Sequence, residues 1–91
     1  MKIGKVIGVL WCTQKDENLE GLKLLIVEYL DLESKGTNNF TVAVDTVCAG
    51  TGDKVLVVSG SSARQTLMTN KKPVDSTIVG IIDRIDVEEK R

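Results

Sequence analysis

The stretch that decides the fold covers residues 42–64 and reads VAVDTVCAGTGDKVLVVSGSSAR. It predicts a strand, a glycine-containing turn, a second strand and the start of a helix. Gly50 and Gly52 bracket Thr51 between two runs rich in β-branched residues, and glycine takes the positive φ angles of tight turns without a steric penalty. A phosphate-binding loop would lead into a helix, whereas this one leads into a strand, so it is predicted to be a structural turn.

Apolar patterns on either side of this stretch predict further strands. With the two strands inside the stretch they cover residues 2–11, 22–30, 40–47, 54–59 and 76–87. A helical spacing also fits residues 22–30, but the pair Ile26 and Val27 and the short length favour a strand. Residues 31–39 are charged and then rich in glycine and asparagine, which predicts a loop.

The one helix signal lies between the last two predicted strands. Residues 62–65, Ser-Ala-Arg-Gln, match a capping box, in which the serine hydroxyl accepts a hydrogen bond from the backbone three residues on. Residues 70–73, Asn-Lys-Lys-Pro, supply a stop signal. Five short strands with one short α-helix before the last predict a mainly β fold, a small barrel that occupies the whole chain, residues 1–91, as a single domain.

Composition excludes several classes of function. The chain has 91 residues, a formal net charge of −1 and no histidine, so histidine-based zinc sites and catalytic triads are absent and the basic surplus typical of nucleic-acid binding is missing. The start of the chain does not resemble a signal peptide, and no apolar run reaches the length of a membrane helix.

Cys12 and Cys48 are predicted to be reduced, with Cys12 a small core residue beside Trp11. No catalytic, metal-binding or cofactor-binding residue is predicted.

Three predicted strands are apolar on both faces. The alternating residues are Leu22, Leu24 and Ile26 against Leu25 and Val27; Val55 and Val57 against Leu56 and Val58; and Ile78 and Ile82 against Val79 and Ile81. A small antiparallel barrel buries one face of each strand and normally presents polar residues on the other. The pattern therefore predicts that further copies of the chain cover the outer face in a closed ring. A monomer whose own core takes up these residues stays open as the alternative.

The same residues resemble a known family. The segments DTVCAGTGD at residues 45–53, VLVV at 55–58 and GSSAR at 60–64 resemble the vertex proteins of bacterial microcompartment shells, the EutN/CcmL-type family. Residues 4–9 and 19–25 resemble the first two strands of that family. Two positions depart from the pattern, since Cys48 stands where the family usually has glycine and Asp53 where it usually has glutamate.

The resemblance implies an OB-like five-stranded barrel and a structural, non-enzymatic function in the bacterial cytoplasm. Copies of the chain would form pentamers that cap the vertices of a polyhedral shell, with hexameric shell proteins as partners, and with no cofactor, nucleic acid or membrane involved. The resemblance also implies that one loop lies near the ring axis, around a narrow central opening; its residues are Cys48, Ala49, Gly50 and Thr51. A hexameric ring, the pathway enclosed and passage through the opening are left undecided.

Arg64 is a candidate residue of the subunit interface. A cation in the first turn of a helix is disfavoured by the helix dipole, and a carboxylate partner would offset this effect. The candidate acceptors are Asp45 and Asp53, of the same or a neighbouring chain, and Ser62 adjoins the site. An unpaired surface arginine is the open alternative.

The alternative function is an OB-fold nucleic-acid-binding module. Such modules stack bases on aromatic side chains in a basic groove. Trp11, Tyr29 and Phe40 are the aromatic residues available for this role.

Overall fold

A computed structural model of the chain is a closed five-stranded barrel in which the strands follow the order β1-β2-β3-β5-β4. The structure describes residues 1–12, 15, 17–66, 68–70 and 74–88. The strands are β1 (Lys2–Val9), β2 (Leu24–Leu30), β3 (Gly36–Asp45), β4 (Lys54–Ser59) and β5 (Ser76–Ile81). Two short 3-10 helices are described as well, at Glu17–Leu19 and Gly60–Arg64. The mainly β, OB-like barrel predicted from the sequence is confirmed.

β1 organises the barrel because it pairs with two strands. It runs antiparallel to both β2 and β4, and Gly4 is paired with Tyr29 on one side and with Val55 on the other. A Cβ atom at Gly4 would overlap the side chain of Val27, so the inward face of β1 accepts only glycine at this position. The barrel closes through a short parallel pairing between β3 and β5, where Val44 lies opposite Thr77.

The core fills the inside of the barrel with aliphatic side chains. The buried residues of this cluster are Val6, Leu25, Val27, Ala43, Ala49, Val55, Val57 and Ile78. A second cluster, formed by Leu22, Val44 and Val74, covers one end of the outer face of β2 and β3. The β-branched residues that favour strands thus also supply the inner packing, as expected for a chain with few aromatic residues.

Two strand boundaries differ from the predictions by more than two residues. β3 begins at Gly36 rather than at residue 40, because Leu30 pairs with Gly36 across a turn that the Asp31 carboxylate stabilises. The predicted last strand ends at Ile81 instead of residue 87. Its partner β4 begins at Lys54, whose carbonyl accepts the Ile82 N–H at 2.8 Å. β4 therefore has no further residue with which the chain after Ile82 could pair.

The predicted α-helix from Ser62 is wrong. The segment is a 3-10 helix, Gly60–Arg64, which begins after Ser59 and has no side-chain cap hydrogen bond. The carbonyl of Ala63 accepts a 2.6 Å hydrogen bond from the Thr77 hydroxyl, so this segment is bound to β5 where an α-helix would use its carbonyls for its own next turn. Asn70 lies in a turn, and the rest of the predicted stop signal, residues 71–73, lies outside the described residues.

The prediction that Cys12 is a core residue is also wrong. β1 ends at Val9, so Trp11 and Cys12 extend past the barrel, where 87% of Trp11 is exposed. Both cysteines are free thiols. Among the described residues no helix is long and apolar enough to span a membrane.

Candidate functional site

The loop between β3 and β4, residues 46–53, is organised by a buried carboxylate. Asp45 ends β3 and is 5% exposed. Its Oδ1 atom accepts hydrogen bonds from the backbone N–H groups of Val47, at 3.0 Å, and Ala49, at 3.1 Å. A carboxylate that accepts several backbone N–H groups is well satisfied in its charged form. Asp45 thereby sets the direction in which the chain leaves the barrel.

Lys23 completes this arrangement from the other side. Its ammonium group donates to the carbonyl of Ala49 at 3.2 Å and lies 4.0 Å from Oδ2 of Asp45. The N–H and the carbonyl of Ala49 are therefore both bound, and its side chain is buried in the barrel core. Sequence reasoning did not identify Lys23, because it lies 26 residues from Ala49 and belongs to no motif.

The second half of the loop is the predicted glycine turn. Asp53 donates its N–H to the carbonyl of Gly50 at 3.0 Å, and its Oδ2 atom accepts the N–H of Gly50 at 2.8 Å. Gly52 has φ of +96°, the positive angle that a type II turn requires at its third residue. The N–H of Gly52 donates to the carbonyl of Val6, which ties the turn to β1. The structural turn is confirmed.

Cys48 lies between these two anchors in a conformation that favours glycine. Its φ angle is +59° and its side chain is exposed. The left-handed region costs a residue with a Cβ atom about 1 kcal/mol or more. This positive φ angle gives a physical reason why the family that the sequence resembles usually has glycine at this position.

The structure does not bring Arg64 to either predicted carboxylate within the chain. Arg64 donates from Nη1 to the carbonyl of Val74 at 3.1 Å. The oxygen atoms of Asp45 and Asp53 that make hydrogen bonds are occupied by the loop backbone, and the ion pairs among the described residues include none between Arg64 and either carboxylate. Ser62 is exposed in the 3-10 helix and accepts the Gln65 N–H with its carbonyl. Pairing between subunits stays a prediction.

Exposed aliphatic residues lie together on the outer face of the barrel around β2. Ile26 on β2 lies opposite Val42 on β3, and Ile7 lies beside them on β1. Ile7 is 43% exposed and Val42 is 42% exposed. Phe40, two residues before Val42, is 54% exposed. The prediction that strands are apolar on both faces is confirmed for β2.

A second apolar area lies on the other side of β1. Ile3 pairs with Leu56 on β4, and both side chains line a cavity of about 420 Å³. Leu30 and Leu32 form another wall of this cavity, and Lys2 and Asp31 are among its polar lining residues. These side chains offer hydrophobic contact and no grouping for acid-base chemistry. Within the described ranges, no three His, Cys, Asp or Glu side chains group closely enough to hold a metal ion.

These features are typical of a protein that associates through its surface. They are a closed barrel, a β3–β4 loop bound by Asp45 and Lys23, and exposed aliphatic residues on the outer face. Comparison with known proteins identifies the family. A family model described as "Ethanolamine utilisation protein EutN/carboxysome" matches residues 1–83. The chain belongs to this EutN/CcmL family.

Relatives in the family share both sequence and fold with the chain. A carboxysome shell vertex protein, CcmL of Nostoc sp., is 44% identical over 99% of the chain and 90% of its own length. A microcompartment shell vertex protein, EutN of Salmonella typhimurium, is 42% identical over 93% of the chain and 86% of its own length.

Solved structures of relatives match the barrel closely. Gloeobacter violaceus CcmL superposes with a TM-score of 0.93 at 38% identity, covering 97% of the chain and 91% of its own. GrpN, a pentameric microcompartment shell protein from Rhodospirillum rubrum, superposes with a TM-score of 0.88 at 42% identity. The two structures match over 96% of the chain and 99% of GrpN.

Proposed function

We propose that the chain is a structural protein, not an enzyme, which assembles into pentamers that cap the vertices of a bacterial microcompartment shell. The observation that carries this proposal is the match to shell vertex proteins over 93 to 99% of the chain. The chain then acts as one vertex domain over residues 1–91, and as a shell component it works in the bacterial cytoplasm. Its partners are its own copies and the hexameric proteins of the shell.

The geometry of a closed shell explains why a five-fold protein is needed. A flat lattice of six-fold tiles cannot close on itself, and five-fold units at the corners supply the missing curvature. The outer face of the barrel supports such a ring, because exposed aliphatic side chains such as Ile7 and Val42 gain about 25 cal/mol per Å² when a neighbour covers them.

Assembly of the purified chain with hexameric shell proteins tests the function. We expect closed polyhedral particles in electron micrographs when the chain is present, and open sheets or tubes when it is omitted. Native mass spectrometry of the chain alone should give the mass of five copies. Closed particles that form equally well without the chain would contradict the vertex function.

We further propose that the loop of Cys48, Ala49, Gly50 and Thr51 surrounds the five-fold axis. Support comes from its anchoring, since Asp45 and Lys23 bind the backbone of Ala49 while the neighbouring Cys48 side chain is exposed. Copper-catalysed oxidation of the assembled ring should link Cys48 of adjacent copies into disulfide-bonded dimers. A Cys12→Ser variant should retain these dimers, and a Cys48→Ser variant should lose them.

The subunit interface is proposed to include Arg64 with Asp45, Asp53 and Ser62. Support comes from Arg64, because within the described part of the chain its guanidinium donates only to a backbone carbonyl and so keeps donors for a neighbouring carboxylate. Arg64→Ala should weaken the ring and Arg64→Lys should weaken it less. An unchanged mass spectrum for both variants would remove Arg64 from the interface.

The nucleic-acid alternative is disfavoured by the positions of the aromatic residues. Trp11 follows the C-terminal end of β1, whereas Tyr29 pairs with Gly4 near the opposite end of the same strand. Phe40 lies opposite the acidic Glu28. Base stacking along one groove needs aromatic side chains in a row beside cations, and these three are separated. Binding of single-stranded oligonucleotides in a gel-shift assay would revive the alternative.

A further inference from the structure

The side of the barrel opposite β1 differs from the sides that border β1. Because β1 pairs with β2 and β4, the parallel seam between β3 and β5 lies across the barrel from it. Val44 and Thr77 are opposite each other in this seam, point outward by the alternation of a strand, and are only 1% and 0% exposed. Ile7, on the outside of β1, is 43% exposed. The subunit therefore covers the outside of its own seam and leaves the outside of β1 open.

Two segments of the chain provide this cover. Leu22, which follows the first 3-10 helix, packs together with Val74 and Val44. In the second 3-10 helix, the carbonyl of Ala63 accepts the 2.6 Å hydrogen bond from the Thr77 hydroxyl. Both segments are thus bound to the seam by buried groups.

The residues next to Leu22 and Val74 form an exposed surface over the β3 side of the seam. Glu20 and Gly21 precede Leu22, and Asp75 follows Val74; all three are exposed. Because Leu22 and Val74 pack together, the backbones that carry these residues lie close to each other. We refer to Glu20, Gly21 and Asp75 as the seam surface. It carries none of the aliphatic side chains that are exposed beside β1.

The shape of a ring decides which side of the barrel faces outward. In a cyclic ring each copy contacts its two neighbours through two different surfaces. These surfaces converge toward the ring axis and diverge toward the rim. The two exposed apolar areas of the barrel, around Ile7 and around Ile3, meet at β1. If neighbouring copies cover both areas, β1 lies on the narrow side of the subunit, nearest the axis.

The β3–β4 loop agrees with this orientation. The N–H of Gly52 donates to the carbonyl of Val6 at 2.8 Å, and the N–H of Val6 donates to the carbonyl of Asp53 at 3.0 Å. The loop proposed to surround the axis is therefore tied to β1. The seam, on the opposite side of the barrel, then lies at the outer rim of the ring.

We propose that the seam surface is the part of the rim at which the pentamer meets the hexameric shell proteins. This inference rests on the proposed function and adds the surface that binds the partner. The occupant is the edge of a hexamer, because hexamers surround every five-fold unit of a closed shell. A polar surface fits a contact between components that have already assembled, since obligate interfaces are the more hydrophobic ones.

Bulky substitutions on the seam surface test the contact. Glu20→Trp and Asp75→Trp leave the buried anchors in place, so circular dichroism should show a folded subunit and native mass spectrometry should show wild-type rings. When hexameric shell proteins are added, the yield of closed particles should fall by at least about tenfold, because each substitution is repeated around the ring. Glu20→Lys and Asp75→Lys are the alternative variants should tryptophan impair folding.

Glu33→Trp is the matched control. Glu33 is an exposed carboxylate in the turn between β2 and β3, near the start of β3, whereas the seam surface lies near its end. Particles with this substitution should close as well as the wild type.

A photo-cross-linking amino acid tests which partner each side meets. Benzoylphenylalanine in place of Glu20 should link the chain to a hexamer subunit in assembled particles. The same group in place of Ile7 should link one copy of the chain to another, because Ile7 lies in an apolar area beside β1. The masses of the linked products distinguish the two results.

Three results would overturn the inference and leave the proposed function intact. They are normal closure with both Glu20→Trp and Asp75→Trp, an equal loss of closure with Glu33→Trp, and cross-links from position 20 that join two copies of the chain. A wild-type chain that stays monomeric, or that yields no closed particles, would overturn the proposed function together with this inference.

Discussion

The inner and outer faces of the barrel contain the same kinds of residue but differ in how much of each side chain the subunit buries. Val6, Val27 and Val55 on the inside are fully buried by the chain itself. Ile7 and Val42 on the outside leave more than 40% of their area exposed. Aliphatic residues in a strand thus show only that the face must be covered. Whether the chain or a neighbouring copy provides the cover depends on which way each side chain points.

Truncation of one leucine on each face should show the largest difference between them. Leu25 is fully buried inside the barrel, and Leu25→Ala should lower the free energy of unfolding by about 2 to 5 kcal/mol. Leu56→Ala, on the outer face, should cost the isolated subunit less than about 1.5 kcal/mol and mainly weaken the ring. Urea denaturation of dilute, monomeric samples measures both. Equal losses would mean that the outer face is as fully packed within the subunit as the inner face.

Removal of the buried Asp45 carboxylate, at the end of β3, should give the next largest effect. Asp45→Ala removes the acceptor of two backbone N–H groups, those of Val47 and Ala49, and should lower the free energy of unfolding by about 2 to 3 kcal/mol. Asp45→Asn keeps an acceptor oxygen and should cost less. Chemical denaturation of both variants measures the difference, and equal losses would show that the charge rather than the hydrogen bonds matters.

Relief of backbone strain in the same loop should have a smaller effect of opposite sign. Cys48→Gly removes the Cβ atom from a residue with φ of +59° and should raise the free energy of unfolding by about 0.5 to 1 kcal/mol. Cys48→Ala keeps the Cβ atom and should leave the stability nearly unchanged. Thermal melting of the two variants tests this, and equal melting temperatures would show that the strain is absorbed elsewhere.

The smallest effect is expected on the exposed chain after β5. Arg84 and Asp86 form an ion pair at 2.8 Å, with about 80% and 66% of their side chains exposed. Asp86→Asn should change the free energy of unfolding by less than about 0.5 kcal/mol, because solvent screens exposed pairs. A larger loss in denaturation experiments would indicate that this segment packs on the barrel more firmly than its exposure suggests.

Local patterns predicted most of the barrel but failed where distant partners decided the outcome. The strand at residues 54–59 follows from its β-branched residues, and the turn before it follows from Gly52. Both signals lie within the segment itself. The α-helix at Ser62 failed because the Thr77 hydroxyl, 14 residues away, takes the carbonyl of Ala63. The predicted length of the last strand was wrong because β5 can pair only as far as the residue at which β4 begins.

The candidate site divides in the same way. The turn of Gly50 and Gly52 was evident from the sequence. Its anchors were not, since Asp45 was proposed as an interface residue and Lys23 was not singled out. Both act through contacts that form only when the ends of β2 and β3 meet at the loop.

The sequence by itself determined the family, the strand-rich composition and the need for cover on two faces of the strands, because these depend on residue type and alternation. Only the tertiary structure decided which apolar residues the subunit buries. It also separated a glycine that the fold requires, Gly4, from one at which a Cβ atom would make only an ordinary contact, Gly80. The physical reason is that steric space around a residue is set by strands far away in the chain.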